Sequence, residues 1–147
     1  MNLQNFTDFR LLTEAKNSLK MNVPSDILDL HKLFKKNGKE QSNFLLMNLA
    51  EKVINKMISG DAFSQWLGIE IIDLSEGFCK LKMTVRDEMT NGFNIAHGGI
   101  SYSLADSALA FAANSYGTQS LSVETSISHT KKVMSGDTLT AHTKEVK

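Results

Sequence analysis

The strongest constraint on this chain is a run of small and apolar residues with one carboxylate inside it. From Ile100 to Tyr116, residues Ile100, Leu104, Ala105, Ala108, Leu109, Ala110, Phe111, Ala112 and Ala113 fall on every face of a helix. A helix that is apolar all round is expected to be buried by other protein. The run is too short to span a bilayer, and Asp106, Asn114 and several serines interrupt it. A carboxylate in such a helix is costly unless it is paired, hydrogen-bonded or open to a cleft. Asp106 is therefore the first candidate functional residue.

The loop before the helix supplies a complement. It runs Asn91-Gly92-Phe93-Asn94-Ile95-Ala96-His97-Gly98-Gly99, which places two glycines where the helix should begin. The first turn of a helix has free backbone N–H groups, and its dipole favours negative charge there. Glycine lets another group come close to the backbone. Together these features can hold a developing oxyanion. Asp106 lies eight residues past Gly98, roughly 12 Å along the axis at ~1.5 Å per residue. One reacting carbonyl cannot touch both within a single protomer. If both serve one substrate, the second comes from another copy, as in a symmetric dimer.

Composition narrows the alternatives. The 147 residues suit one domain, and 16 basic residues balance 16 acidic ones, so there is no electrostatic footprint for nucleic acid. The only basic doublets are Lys35-Lys36 and Lys131-Lys132. Cys79 is the single cysteine, so no intrachain disulfide is possible and a reducing compartment fits. Residues Met1 to Leu12 carry Asp8 and Arg10 and have no continuous apolar core, unlike a secretory signal. The expectation is a soluble, cytoplasmic protein with no membrane partner.

Two parts differ in character. In the first, Ser25 and Asp26 can cap a helix through Ile27, Leu28, Leu30, Leu33 and Phe34 that Gly38 ends. Lys35 to Asn43 reads as a polar linker. From Phe44, apolar residues Leu46, Leu49, Val53 and Met57 recur at helical spacing up to Gly60. The second part starts near Asp61 and alternates like a sheet. Leu67, Ile69 and Ile71 face one way, Ser75-Glu76-Gly77 turns, and Phe78 to Val85 alternates Cys79, Leu81, Met83 and Val85 with Lys80, Lys82 and Thr84. That predicts an antiparallel hairpin with one wet face. After the central helix, Leu121, Val123, Thr125 and Ile127 alternate with serines and Glu124. A turn over Val133 to Asp137 then leads into a strand from Thr138 to Val146.

The stretches Asn91-Gly92, His97-Gly98-Gly99, Ser103-Leu104-Ala105-Asp106-Ser107-Ala108, Gly136-Asp137-Thr138-Leu139 and Ala62 to Ile72 resemble the hotdog-fold acyl-CoA thioesterases of the phenylacetate-degradation (PaaI) type. The resemblance runs from about Met47 to the end. It implies an α+β fold, an antiparallel sheet wrapped round a central helix. It also implies hydrolysis of acyl-CoA thioesters, aryl-acyl ones such as phenylacetyl-CoA foremost, by a homodimer or homotetramer without metal or bound cofactor. Carried over residue by residue, Asp106 is the catalytic carboxylate, as nucleophile or general base, and Gly98 is the backbone oxyanion donor. Asn91 positions the water or carboxylate, and His97 orients the loop and thioester. Gly99, Ser107, Lys131 and Lys132 are the substrate-binding candidates, with Ser107 supporting the carboxylate. Relatives of this type carry two further strands and begin near Met47. The expectation is therefore a helical extension over 1–46 and a hotdog domain over 47–147 without its last two strands, marginally stable and with unpaired edges at Leu121–Thr130 and Thr138–Val146.

Plainer readings stand beside these. Asp106 could be a buried aspartate satisfied by a local donor, His97 a loop histidine bonded to backbone, and Asn91-Gly92 a turn. Gly98 and Gly99 could be turn glycines only. Lys131 and Lys132 could meet coenzyme A phosphates or form an exposed basic pair. Cys79, on the apolar face of its strand, reads as core. His31, His129 and His142 have no metal-ligand spacing. Two further functions fit the same residues: a non-catalytic acyl-CoA binding module, and an enoyl-thioester hydratase or dehydratase with His97 as second acid–base group.

Overall fold

The computed structural model describes residues 39–146, so the expected helix from Ser25 to Gly38, and most of the expected extension, lie outside the described residues. Helix α1 spans Lys39–Gly60. It begins inside the stretch expected to be a polar linker: Lys39, Glu40 and Gln41 are good helix formers, and no glycine or proline interrupts them before Gly60. Its Ala50 and Ile54 are fully buried, with Val53, Met57 and Ile58 packed beside them. That is the helical spacing of the sequence put to use.

Helix α2, Ala62–Leu67, replaces the start of the expected strand. Asp61 decides this. Its Oδ1 accepts from the Phe63 and Ser64 backbone N–H groups, both at 3.0 Å, and its Oδ2 from the Ser64 hydroxyl at 2.5 Å. A cap of this quality starts a helix, and Gly68, at φ 71°, ends it. Leu67 therefore reaches the core from a helix, not from the strand face it was expected to share with Ile69 and Ile71.

Strands β1 (Glu70–Ser75), β2 (Phe78–Thr84) and β3 (Thr138–Lys144) form one antiparallel sheet in the order β1-β2-β3. A register shift between Ile71 and Asp73 breaks the alternation of β1, so that Ile72 is exposed and Leu74 is buried. On β2 the expected alternation holds: Cys79, Leu81 and Met83 are buried. They pair with Thr143, Ala141 and Leu139 of β3. The turn between β1 and β2 has Gly77 at φ 67°. Its N–H donates to the Ser115 hydroxyl at 2.8 Å, and its carbonyl accepts from Glu145 N–H at 2.7 Å. One tight turn thus ties together the ends of three elements.

Helix α3, Gly98–Asn114, crosses the sheet. Ile100, Leu104, Ala108, Phe111 and Ala112 pack on Leu74, Cys79, Leu81, Met83, Leu139 and Ala141 in one core with Ile54. This is the arrangement of the hotdog fold, a central helix on an antiparallel sheet. The expectation that α3 is buried all round is corrected here. Tyr102, Ser103, Asp106, Leu109, Ala110 and Ala113 are only partly covered. They recur at i, i+3, i+4 and i+7, so they form one face of the helix.

The alternating segment Leu121–Thr130 is not a strand. Leu121 and Val123 are 77% and 87% exposed. Alternation prepares two faces, but a strand also needs a partner, and this segment pairs with no strand among the described residues. The Tyr102 and Thr125 hydroxyls, in contact, tie it to α3. No helix among the described residues is long and apolar enough to cross a membrane.

Candidate active site

The site is built on the loop that enters α3. Asn91 organises that loop: its Oδ1 accepts from Phe93 N–H at 2.9 Å and Ile95 N–H at 3.4 Å, and its own N–H donates to the Ile95 carbonyl at 2.8 Å. Asn94 sits at φ 55°, a left-handed conformation that asparagine tolerates better than most side chains. The Asn91 oxygen is thus engaged in shaping the loop, and its amide N–H groups are what it can offer a ligand. Ala96 N–H then donates to the Val133 carbonyl and His97 N–H to the Met89 carbonyl, which fixes the direction in which the helix leaves.

His97 is the N-cap of α3, and its Nδ1 accepts from Gly99 N–H at 3.0 Å. An accepting Nδ1 places the hydrogen of the neutral ring on Nε2. The two glycines therefore differ. The Gly99 N–H is consumed by the cap, whereas the Gly98 N–H makes no hydrogen bond among the described residues. Gly98 is left as the donor at the positive end of the helix dipole, a suitable place for an oxygen that gains charge.

Asp106 stands two turns further along, on the partly covered face of α3. It has no hydrogen-bond partner among the described residues, and burial without a compensating donor pushes its carboxyl above the usual carboxylate range. Ser107 points elsewhere. Its hydroxyl lies 3.3 Å from the Ser64 hydroxyl, which donates to Asp61, so this side chain joins α3 to α2. That hydrogen bond from Ser64 holds the Asp61 carboxyl below its ordinary value.

A cavity of about 400 Å³ opens beside Gly98, lined by Ile95, Ala96, Ser101, Lys131 and Lys132 among others. Both lysines are exposed. The structure thus brings Gly98, Lys131 and Lys132 to one cavity, whereas His97 and Gly99, the chain neighbours of Gly98, do not line it. Asp106 stays on a different stretch of the helix. Two residues that the sequence did not single out as partners also meet here. His129 Nδ1 lies 3.3 Å from the Ser101 hydroxyl, and the same ring faces Gly98. They are 28 residues apart, and no spacing rule would have joined them.

Comparison with known proteins gives this geometry a context. The thioesterase superfamily pattern matches residues 93–147, which include α3, the cavity wall and the loop from Phe93 onward. The acyl-coenzyme A thioesterase PaaI of Escherichia coli is 44% identical over 85 residues, 58% of this chain and 61% of that protein. Its structure, from the phenylacetic acid degradation operon, superposes with a TM-score of 0.64 at 40% identity, covering 66% of this chain and 70% of that one. A candidate esterase of Archaeoglobus fulgidus is 40% identical over 98 residues, 67% of this chain and 64% of that protein. A hypothetical thioesterase of Streptococcus pneumoniae, solved with coenzyme A, is 27% identical at a TM-score of 0.53, covering 58% of this chain and 66% of that one. The chain thus spans 54–64% of the length of these curated relatives and of a third, a candidate esterase of Deinococcus radiodurans.

Proposed function

Since this chain belongs to the thioesterase superfamily and shares the hotdog fold of the E. coli PaaI protein, we propose that it hydrolyses acyl-CoA thioesters, aryl-acyl ones of the phenylacetyl type foremost. The observation that carries this reading is the division of labour in the first turn of α3. His97 occupies the Gly99 N–H and leaves the Gly98 N–H free, beside a cavity walled by two lysines. The carbonyl oxygen of the thioester lies against the Gly98 N–H. The coenzyme A arm lies in the cavity, where Lys131 and Lys132 offer ammonium groups to its phosphates. Two relatives support the substrate class: one bears the name acyl-coenzyme A thioesterase and the other was solved with coenzyme A.

Asp106 completes the site from a second copy of the chain. Within one chain it lies roughly 12 Å from Gly98 at ~1.5 Å rise per residue, too far to act on a carbonyl held there. The partly covered face of α3 around it, with Tyr102, Leu109, Ala110 and Ala113, suits a second helix packed alongside. Asp106 takes a proton from water as the water oxygen bonds to the acyl carbon. The carbonyl electron pair moves onto the oxygen at Gly98, then returns as the C–S bond breaks and the sulfur leaves with its electron pair. Direct attack by Asp106, through an anhydride that water opens, is the nucleophilic version of the same site. Single-turnover incorporation of labelled solvent oxygen into Asp106 separates the two.

The test is thiol release from phenylacetyl-CoA and a panel of acyl-CoAs. Release that Asp106→Asn reduces at least ~100-fold, the scale of a positioned acid–base group, is the expected result. Tight binding without release in calorimetry would indicate a binding module instead. Absorbance change with crotonyl-CoA without thiol release would indicate a hydratase.

A further inference from the structure

We propose that His129, held by Ser101, is a catalytic acid of this site and delivers a proton to the departing sulfur; the proposal rests on the thioester-hydrolysis reading above. Three observations carry it. The ring stands over Gly98: a Cβ built on that glycine would lie 3.1 Å from His129 Nε2 and 3.4 Å from Cε1. Its other nitrogen, Nδ1, lies 3.3 Å from the Ser101 hydroxyl, which donates to the Gly98 carbonyl at 3.0 Å. Both Ser101 and His129 line the cavity that Lys131 and Lys132 also line.

The hydrogen-bond roles follow from these contacts. With its hydrogen directed at the Gly98 carbonyl, the Ser101 oxygen can only accept, so Nδ1–H donates to it. Nε2 is thereby left for the cavity on the Gly98 side, and because Nδ1–H is committed to Ser101 it carries a proton only in the imidazolium form, which is the form that acts as the acid. An imidazole oriented through one nitrogen and working through the other is the arrangement acid–base catalysis requires.

Position then selects the role. A thioester with its carbonyl oxygen on Gly98 N–H and its coenzyme A arm toward the lysines has its sulfur on the cavity side, where Nε2 is. The attacking water comes from the opposite side of the acyl group, where the Asp106 of the second copy stands. The balance is complete: the water oxygen bonds to the acyl carbon and its proton goes to Asp106. The C–S bond breaks, and the sulfur takes its electron pair and the Nε2 proton. Asp106 and His129 then exchange one proton through solvent, giving a carboxylic acid and free coenzyme A thiol. The groups facing the ring are the Ser101 hydroxyl and, along the cavity, Thr130, Lys131 and Lys132, with His97 at the adjacent cap; no carboxylate lines the cavity among the described residues.

The experiment compares wild type with His129→Gln, His129→Ala and Ser101→Ala on phenylacetyl-CoA, with thermal unfolding of each variant recorded alongside. His129→Gln is expected to lower kcat about 10- to 100-fold with KM little changed, at the low end of acid–base effects because a thiolate departs readily. It should also remove the alkaline limb of the pH–rate profile. Added imidazole should restore part of the His129→Ala activity. A thioester of an acidic aryl thiol, whose thiolate needs no proton, should be hydrolysed by His129→Gln almost as by wild type. Ser101→Ala should lower kcat less than His129→Gln, as expected of a positioning residue. An active wild type whose kcat and alkaline limb survive His129→Gln would overturn this assignment alone. A wild type that releases no thiol from any acyl-CoA would overturn the hydrolysis reading and this assignment with it.

Discussion

Gly98→Ala separates what the first turn of α3 does for the fold from what it does for chemistry. Gly98 is not at a positive φ, so alanine can adopt its backbone conformation without strain. Replacing glycine by alanine at such a position favours folding by roughly 0.4–1 kcal/mol, because the unfolded chain has less freedom to lose. Against this stands the new methyl group, 3.1 Å from His129 Nε2 and 3.7 Å from its Cδ2. That contact is a few tenths of an ångström too tight. His129 is an exposed side chain that can turn aside, at a cost on the order of 0.5–1.5 kcal/mol for an off-rotamer shift. The two terms nearly cancel, so stability should change by no more than about 1 kcal/mol, a few degrees in Tm for a domain of this size. Activity should not be spared. The methyl group crowds the approach to the Gly98 N–H and displaces the ring above it. Alanine keeps the backbone N–H, so the loss of one oxyanion donor, about 100- to 1000-fold in kcat or roughly 2.7–4 kcal/mol, is the ceiling reached when the methyl group blocks the oxygen altogether. Thermal unfolding and thiol release on the same preparation decide the matter. A Gly98→Ala protein with wild-type kcat, or one destabilised well beyond 1 kcal/mol, would refute the reasoning. The double variant Gly98→Ala, His129→Ser, which removes the clash, should recover the stability term and not the activity.

Asp106→Asn should remove activity and raise stability at neutral pH. Burial raises the Asp106 carboxyl above its unfolded value of 3.8, so the folded chain holds this proton more tightly than the unfolded chain. The favourable contribution is complete below the unfolded pKa and is lost as pH rises through the folded one. The Asn variant escapes that loss, so its Tm should exceed wild type at pH 7 and converge with it below about pH 4; a lower Tm at pH 7 would contradict the argument. Gly77→Ala should destabilise by about 1–2 kcal/mol from its left-handed backbone alone. Its Cβ would also lie 3.1 Å from Glu145 Cβ and meet the Tyr116 hydroxyl, so a denaturant midpoint equal to wild type would be the contrary result. Asp61→Ala should cost ~1 kcal/mol as a lost N-cap. Because its partners hold the Asp61 carboxyl below 3.8, the difference from wild type should be full above the unfolded pKa and shrink as pH falls through the folded one, as urea titrations at pH 7 and 3 would show.

The order of elements from Gly77 to Asn114 was legible because each signal there is local. The alternation of Cys79, Leu81 and Met83, the turn at Gly77 and the helix of small apolar residues each depend on neighbours in the chain, and tertiary packing kept all three elements while leaving one face of α3 partly open. The turn at Asn91 was legible in the same way, from an asparagine whose side chain bonds backbone two residues on. Elsewhere local reading failed for identifiable reasons. Residues 62–67 carry a pattern of apolar residues that fits strand or helix, and the Asp61 cap resolved it toward helix. Leu121–Thr130 has strand alternation, but alternation says nothing about whether an edge is available.

The sequence alone determined which residues could carry chemistry: a lone carboxylate in an apolar helix, and glycines at its start. Those are properties of composition at fixed spacing along one helix, and ~1.5 Å per residue already separates Asp106 from Gly98. Tertiary structure decided which of the two glycine N–H groups is free, because that depends on where the His97 ring turns. It also decided that Asp106 sits on the partly covered face of α3, and that His129 lies over Gly98 with Ser101 holding it. Contacts across 28 residues arise from the path of the chain between them, and that path is set by the packing of α3 on the sheet, which no window of the sequence contains.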